Sequence, residues 1–104
     1  MSGGLIDQRR VVLRQYEYLY ILDPQEENWV KTIEELKSAY EKIGVRLIKE
    51  EEMGKRRLAY EIDKKTDGFY YLTVIETEDL PKLQEFEKDL KLNPLVIRFM
   101  KVRK

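Results

Sequence analysis

The 104 residues contain neither cysteine nor histidine. The first absence excludes a disulfide framework and a thiolate metal site, and it fits a reducing compartment. The second removes the commonest general base and the commonest metal ligand, which counts against catalysis. No apolar run approaches the roughly 20 residues needed to cross a bilayer, so no membrane partner is expected. The chain also lacks a secretory signal pattern, since no apolar stretch stands behind a basic start. Gly-rich nucleotide loops, metal-ligand clusters and serine nucleophile motifs are missing too. No cofactor, no metal and no small-molecule substrate are therefore expected.

Charge, by contrast, is plentiful. Lys and Arg number 20 and Asp and Glu 20, so the net charge is zero while 38% of residues are charged. The total is silent and the distribution must be read instead. The length fits one domain with one core. Residues 1–10 read as a flexible N-terminal tail ending in Arg9 and Arg10, and residues 11–104 as a single domain.

From Val11 to Leu22 the pattern is that of a strand, with Tyr16, Tyr18 and Tyr20 on one face and Glu17, Leu19 and Ile21 on the other. Neither face is fully polar, which points to a central strand. Asp23-Pro24-Gln25-Glu26 predicts a helix start, with Asp23 as cap and Glu26 completing a capping box. Trp29, Ile33, Leu36, Tyr40 and Ile43 recur as one stripe of an amphipathic helix, and Gly44 suits its left-handed end. A second strand begins at Val45 and runs through Glu50, Glu51 and Glu52 to Gly54, a candidate bulge. Leu58, Tyr60 and Ile62 then alternate with Arg57, Ala59 and Glu61. A polar turn is expected over Asp63 to Gly68, with Gly68 at a positive φ. Phe69 to Ile75 reads as a second central strand. Asp79 and Thr77 are cap candidates for a helix carrying Leu80, Leu83, Phe86 and Leu90. Asn93-Pro94 stops that helix, and Leu95 to Val102 forms the last strand.

The order β-α-β-β-α-β predicts an α+β, ferredoxin-like split βαβ sandwich. It has a four-stranded antiparallel sheet in the order 4-1-3-2, with both helices on one face. On that fold Arg9, Arg10 and Arg14 approach Lys101, Arg103 and Lys104 at one rim. Lys55, Arg56, Arg57, Lys64 and Lys65 gather at the hairpin. Glutamates such as Glu26, Glu34 and Glu85 load the helices. Basic rims beside aromatic strands are the footprint of an RNA-binding protein, although Lys and Glu also serve simply to solvate a surface. Trp29, Tyr40 and Phe86 lie on helical stripes and belong to the core.

The run Gly54-Lys55-Arg56-Arg57-Leu58-Ala59-Tyr60-Glu61-Ile62 resembles the signature of the bacterial small-subunit (30S) ribosomal protein six family. The resemblance extends to Tyr16-Glu17, Asp23-Pro24, Gly68 with its aromatic strand, and Val96-Ile97-Arg98-Phe99. It departs at Glu61, where the family commonly has proline, and at Asp63, where a basic or small residue is usual. The resemblance implies a structural constituent of the cytoplasmic ribosome and not an enzyme. Such a protein binds the central domain of 16S rRNA at the subunit platform together with small-subunit ribosomal protein eighteen. Carried over, Lys55, Arg56, Arg57 and Tyr60 are expected to contact RNA, while Leu58 and Ile62 belong to the core and Gly54 supplies backbone geometry. Charge and placement add Lys64, Lys65, Arg14 and Tyr16 to the RNA-binding candidates. The protein partner is expected at an exposed strand edge.

Two other classes share the fold. A freestanding RNA-recognition motif would use Leu19-Tyr20-Ile21 and Gly68-Phe69-Tyr70-Tyr71-Leu72 to stack on single-stranded RNA. The Leu-Ala-Tyr block has no role in that reading. An acylphosphatase would need a phosphate-cradling loop near the first helix, where this chain has the acidic Asp23-Pro24-Gln25-Glu26.

Overall fold

A computed structural model describes residues 13–62 and 64–104. The expected tail, the strand onset at Val11 and the turn residue Asp63 lie outside the described residues. The elements follow the expected order: β1 (Arg14–Leu22), α1 (Glu26–Lys42), β2 (Arg46–Ile62), β3 (Lys65–Thr77), α2 (Leu80–Leu92) and β4 (Val96–Arg103). All strand pairs are antiparallel and the sheet order is β2-β3-β1-β4. This is the ferredoxin-like sandwich, with the two aromatic strands in the centre.

Alternation along the central strands decides which side is covered. Tyr16, Tyr18, Tyr20 and Leu22 of β1 are buried together with Phe69, Tyr71 and Ile75 of β3. Against them pack Ile33, Leu36 and Tyr40 of α1 and Leu83, Phe86 and Leu90 of α2. Trp29 lies flat on Phe69, ring centroids 3.8 Å apart. Each of the four most deeply buried phenols, Tyr18, Tyr20, Tyr40 and Tyr71, has a partner, as burial requires. The hydroxyls of Tyr20 and Tyr40 share a hydrogen bond, and that of Tyr40 also reaches Thr73 Oγ1 at 2.9 Å. Tyr18 donates to Glu87, and Tyr71 donates to Glu50 at 2.7 Å. Burial pushes the Tyr40 hydroxyl up to about 12. It raises Tyr18 and Tyr71 further, helped by their carboxylate partners, so these groups stay neutral donors.

Helix ends follow local chemistry with one correction. Gly44 has φ +74°, its N–H bonds the carbonyl of Glu41, and the N–H of Val45 bonds that of Tyr40. This is a Schellman end. Asp79 caps α2 by accepting from the N–H of Lys82. The expected capping box at α1 does not form: the helix begins at Glu26 with Gln25 as its cap. The N–H of Asp23 is taken by the carbonyl of Leu95, and its carboxylate faces Lys65 at 2.9 Å. Asp23 therefore ties strand ends together, and near the helix it accepts from the Gln25 N–H and from the side-chain amide of Asn28.

The hairpin is tighter than the expected turn. Ile62 pairs with Lys65, so Thr66, Asp67 and Gly68 already belong to β3. Positive φ falls on Lys64 and Gly54, not on Gly68. Space explains Gly68 instead, since a Cβ there would overlap Ile21 Cγ2 and stand 3.3 Å from Leu58 Cδ2.

Candidate nucleic-acid interface

Strand pairing places Glu17, Leu19 and Ile21 of β1, Tyr70, Leu72 and Val74 of β3, and Arg98, Met100 and Val102 of β4 on the face away from the helices. Its interior is apolar and its borders are charged. Of the aromatics that the RNA-recognition reading would use for stacking, Tyr70 alone lies here. Tyr20 and Tyr71 are fully buried under the helices, and Phe69 faces them as well.

The signature segment is shaped by two irregularities of β2. Met53 is an extra residue between the pairs Glu52–Tyr71 and Gly54–Tyr70, a bulge that Gly54 permits at φ +95°. Farther on, residues 58 to 61 of β2 stand against Thr66 alone. The excess chain brings Leu58 beside Gly68 and Ile21, where it is buried. Tyr60 remains 62% exposed. Arg98 Nη1 donates to the Tyr60 hydroxyl at 3.1 Å, and the guanidinium carbon stands 5.9 Å from the ring centre. A cation over an aromatic face is attractive. The second face of such a ring can take a base.

Around this strap Lys55, Arg56, Arg57 and Lys64 are all exposed. Among the described residues none of them has an ion-pair partner. Among the described residues the only hydrogen bond involving their side chains is a long one, 3.4 Å, from Arg56 to the Met53 carbonyl. Lys65 differs, because its charge is committed to Asp23. Burial works to raise the Asp23 carboxyl. Hydrogen bonds from Lys65, Asn28 and the Gln25 N–H outweigh it and hold the group below the usual carboxylate value.

Arg14 pairs with Thr77, whereas the hairpin projects past the opposite strand ends, Leu22 and Phe69. The structure therefore does not join Arg14 to the hairpin group. It stands near Arg103 instead, which pairs with Tyr16 two residues along β1. Lys101 and Lys104 nearby are engaged with Glu87 at 2.7 Å and Glu17 at 3.8 Å. Tyr16 does not reach the open surface: it is buried on the helix side, with Lys101 Nζ 5.1 Å from its ring centre. Arg98 is the residue that sequence reading passed over as an RNA candidate. Its partner lies 38 positions away, so no local pattern could have paired them.

Among the described residues no group of acidic side chains could hold a metal ion. No helix is long and apolar enough to cross a membrane. The surface offers concentrated positive charge and one propped aromatic ring, which is binding chemistry.

The family model of ribosomal protein S6 matches residues 15–103. The small ribosomal subunit protein bS6 of Fusobacterium nucleatum is 38% identical over 93 residues, covering 88% of this chain and 98% of that protein. That of Halalkalibacterium halodurans is 39% identical over 90 residues, covering 85% and 94%. The crystal structure of 30S ribosomal protein S6 from Thermotoga maritima superposes with a TM-score of 0.81 at 31% identity, covering 89% of each chain.

Proposed function

This chain belongs to the ribosomal protein S6 family of the small ribosomal subunit, and on that premise we propose that it binds the central domain of 16S rRNA at the platform jointly with ribosomal protein eighteen. The role is structural and not catalytic, within the cytoplasmic ribosome. One observation carries the reading beyond family membership. Lys55, Arg56, Arg57 and Lys64 are exposed around the Tyr60–Arg98 contact, and among the described residues no carboxylate pairs with them. Arginine forks bind phosphate oxygens in two-point contacts, lysine acts as a point charge, and an exposed ring serves an unpaired base. Lys65 and Tyr16 contribute through position: the first anchors the hairpin root to Asp23, and the second packs beneath the sheet.

The test is a titration against a platform fragment of small-subunit rRNA, with and without ribosomal protein eighteen. Tight binding that needs the partner is the expected result. Equal binding without the partner, matched by short single-stranded RNA, would sink it. Changing Arg56 and Arg57 together to Glu is expected to weaken assembly at least about tenfold and to flatten its salt dependence, because two phosphate contacts are lost. The thermal unfolding midpoint should hardly move, since both side chains are exposed.

A further inference from the structure

The basic hairpin overhangs the rest of the sheet. The last pair between β1 and β3 is Leu22–Phe69, whereas β2 and β3 stay paired as far as Ile62–Lys65. Beyond Phe69 the two strands stand alone, and a two-stranded ribbon is marginal in water. This one is weaker still, because its ladder is interrupted between the pairs Arg57–Asp67 and Ile62–Lys65. Arg56, Arg57 and Tyr60 ride on the overhang, and Lys55 stands at its root opposite Phe69.

The body of the protein grips this ribbon through a nearly solvent-free carboxylate. Asp23 follows the last residue of β1 and is 7% exposed. Its N–H donates to the Leu95 carbonyl at 2.9 Å. One carboxylate oxygen accepts from the Gln25 N–H at 3.0 Å and from the Asn28 side-chain amide at 3.1 Å. The other accepts from Lys65 Nζ at 2.9 Å. Main chain and side chain of Asp23 are thus both held by the body, and Lys65 is tied to a fixed point. Lys65 directly follows Lys64, the positive-φ residue of the turn, so the tie acts close to the tip. Trp29, in the first turns of α1, stacks on Phe69 where the overhang begins. By contrast, the contact between Arg98 and Tyr60 is exposed to water.

A carboxylate beside a phosphate-binding surface is unfavourable on charge alone, since like charges are brought together. Its position offers the compensation. We propose that Asp23 is a positioning residue for RNA, resting on the reading of the hairpin as an RNA surface given above. Through Lys65 it holds the overhang in one arrangement, so that Arg56, Arg57 and Tyr60 meet the ligand already ordered, and it touches no RNA itself. Ordering a segment in advance removes that cost from the binding step. Charge and position act in opposite directions here, and the sign of the effect separates them.

The test is D23N, nearly the same shape without the charge, titrated with the platform rRNA fragment and ribosomal protein eighteen. Circular dichroism well below the unfolding midpoint establishes that the variant is folded. Affinity is expected to fall about tenfold, as the hairpin must now be ordered on binding. Charge alone predicts tighter binding, because one repulsive group is gone. In the R56E/R57E background the same substitution is expected to change affinity less than about twofold, because the cations it places are absent. A general loss of stability would act equally in both backgrounds. In the free protein, amide exchange at Arg56, Arg57, Thr66 and Asp67 is expected to quicken at least about tenfold in D23N and in K65M, with α2 unchanged. D23N that binds as tightly as the wild type or more so overturns the proposal. Unaltered hairpin exchange in either variant, or a full tenfold loss persisting without the two arginines, overturns it as well. A wild-type chain that binds no rRNA instead overturns the RNA reading, and the role given to Asp23 falls with it.

Discussion

Gly68 shows how one residue can be legible for the wrong reason. Its place near a turn suggests a need for positive φ, yet the tertiary requirement is room for Ile21 and Leu58. Gly68→Ala is expected to cost about 1–3 kcal/mol through overpacking, measured by denaturant unfolding. A neutral result would mean that Leu58 can move aside. Asp23 likewise reads as a helix cap and works as an anchor for Lys65. Its folded pKa is lowered, so its contribution is complete above the unfolded carboxylate pKa of about 4 and is lost as pH falls through the lower folded value. Asp23→Asn is expected to cost about 1–3 kcal/mol at neutral pH. It should also flatten the acid limb of the stability–pH curve, as followed by thermal unfolding from neutral to strongly acidic buffer. An unchanged acid limb would show that other carboxylates, such as Glu50, govern it.

Among the elements, the body and C-terminal end of α1 are legible in the sequence because their signals are local. The four-three spacing from Trp29 to Ile43 needs only the pitch of a helix, and Gly44 needs only its own φ. Leu36, at the centre of the stripe, is 3% exposed. Leu36→Ala is expected to cost about 2–5 kcal/mol in equilibrium unfolding, the range for a cavity in a packed core. A loss below that range would mean the two helices close over the gap. The hairpin of β2 and β3 is less legible. Its strands are plain in the sequence, but the position of the turn and the four-against-one excess at residues 58 to 61 are set by cross-strand packing. Alternation in Leu58, Tyr60 and Ile62 predicted a regular strand face, whereas Leu58 is buried and Tyr60 largely exposed.

Across the molecule, polar groups tie the layers together. Tyr40 on α1 bridges Tyr20 on β1 and Thr73 on β3, all nearly devoid of solvent contact. Tyr40→Phe leaves two buried hydroxyls short of a partner and is expected to cost about 1–3 kcal/mol. It should also increase hydrogen exchange at β1 and β3 amides, which a loss confined to α1 would not do. The distribution of charge works at the same scale. Helix glutamates, a basic hairpin and a second basic strand end coexist at zero net charge. Ion pairing then separates the cations into those committed, Lys65, Lys101 and Lys104, and those left for a ligand around Tyr60.

The sequence alone determined what depends on near neighbours: the order of elements, the helical stripes, the glycine at the end of α1, the bulge at Gly54 and the family signature. Periodicity and backbone preference act within a few residues, and a sheet order with two aromatic central strands followed from them. Only the tertiary structure decided which aromatic rings are available, which cations are already neutralised, and that Arg98 props Tyr60. Each of these depends on groups far apart in the chain or on a change of facing along a strand. Distances and directions of that kind arise when the sheet closes against its helices.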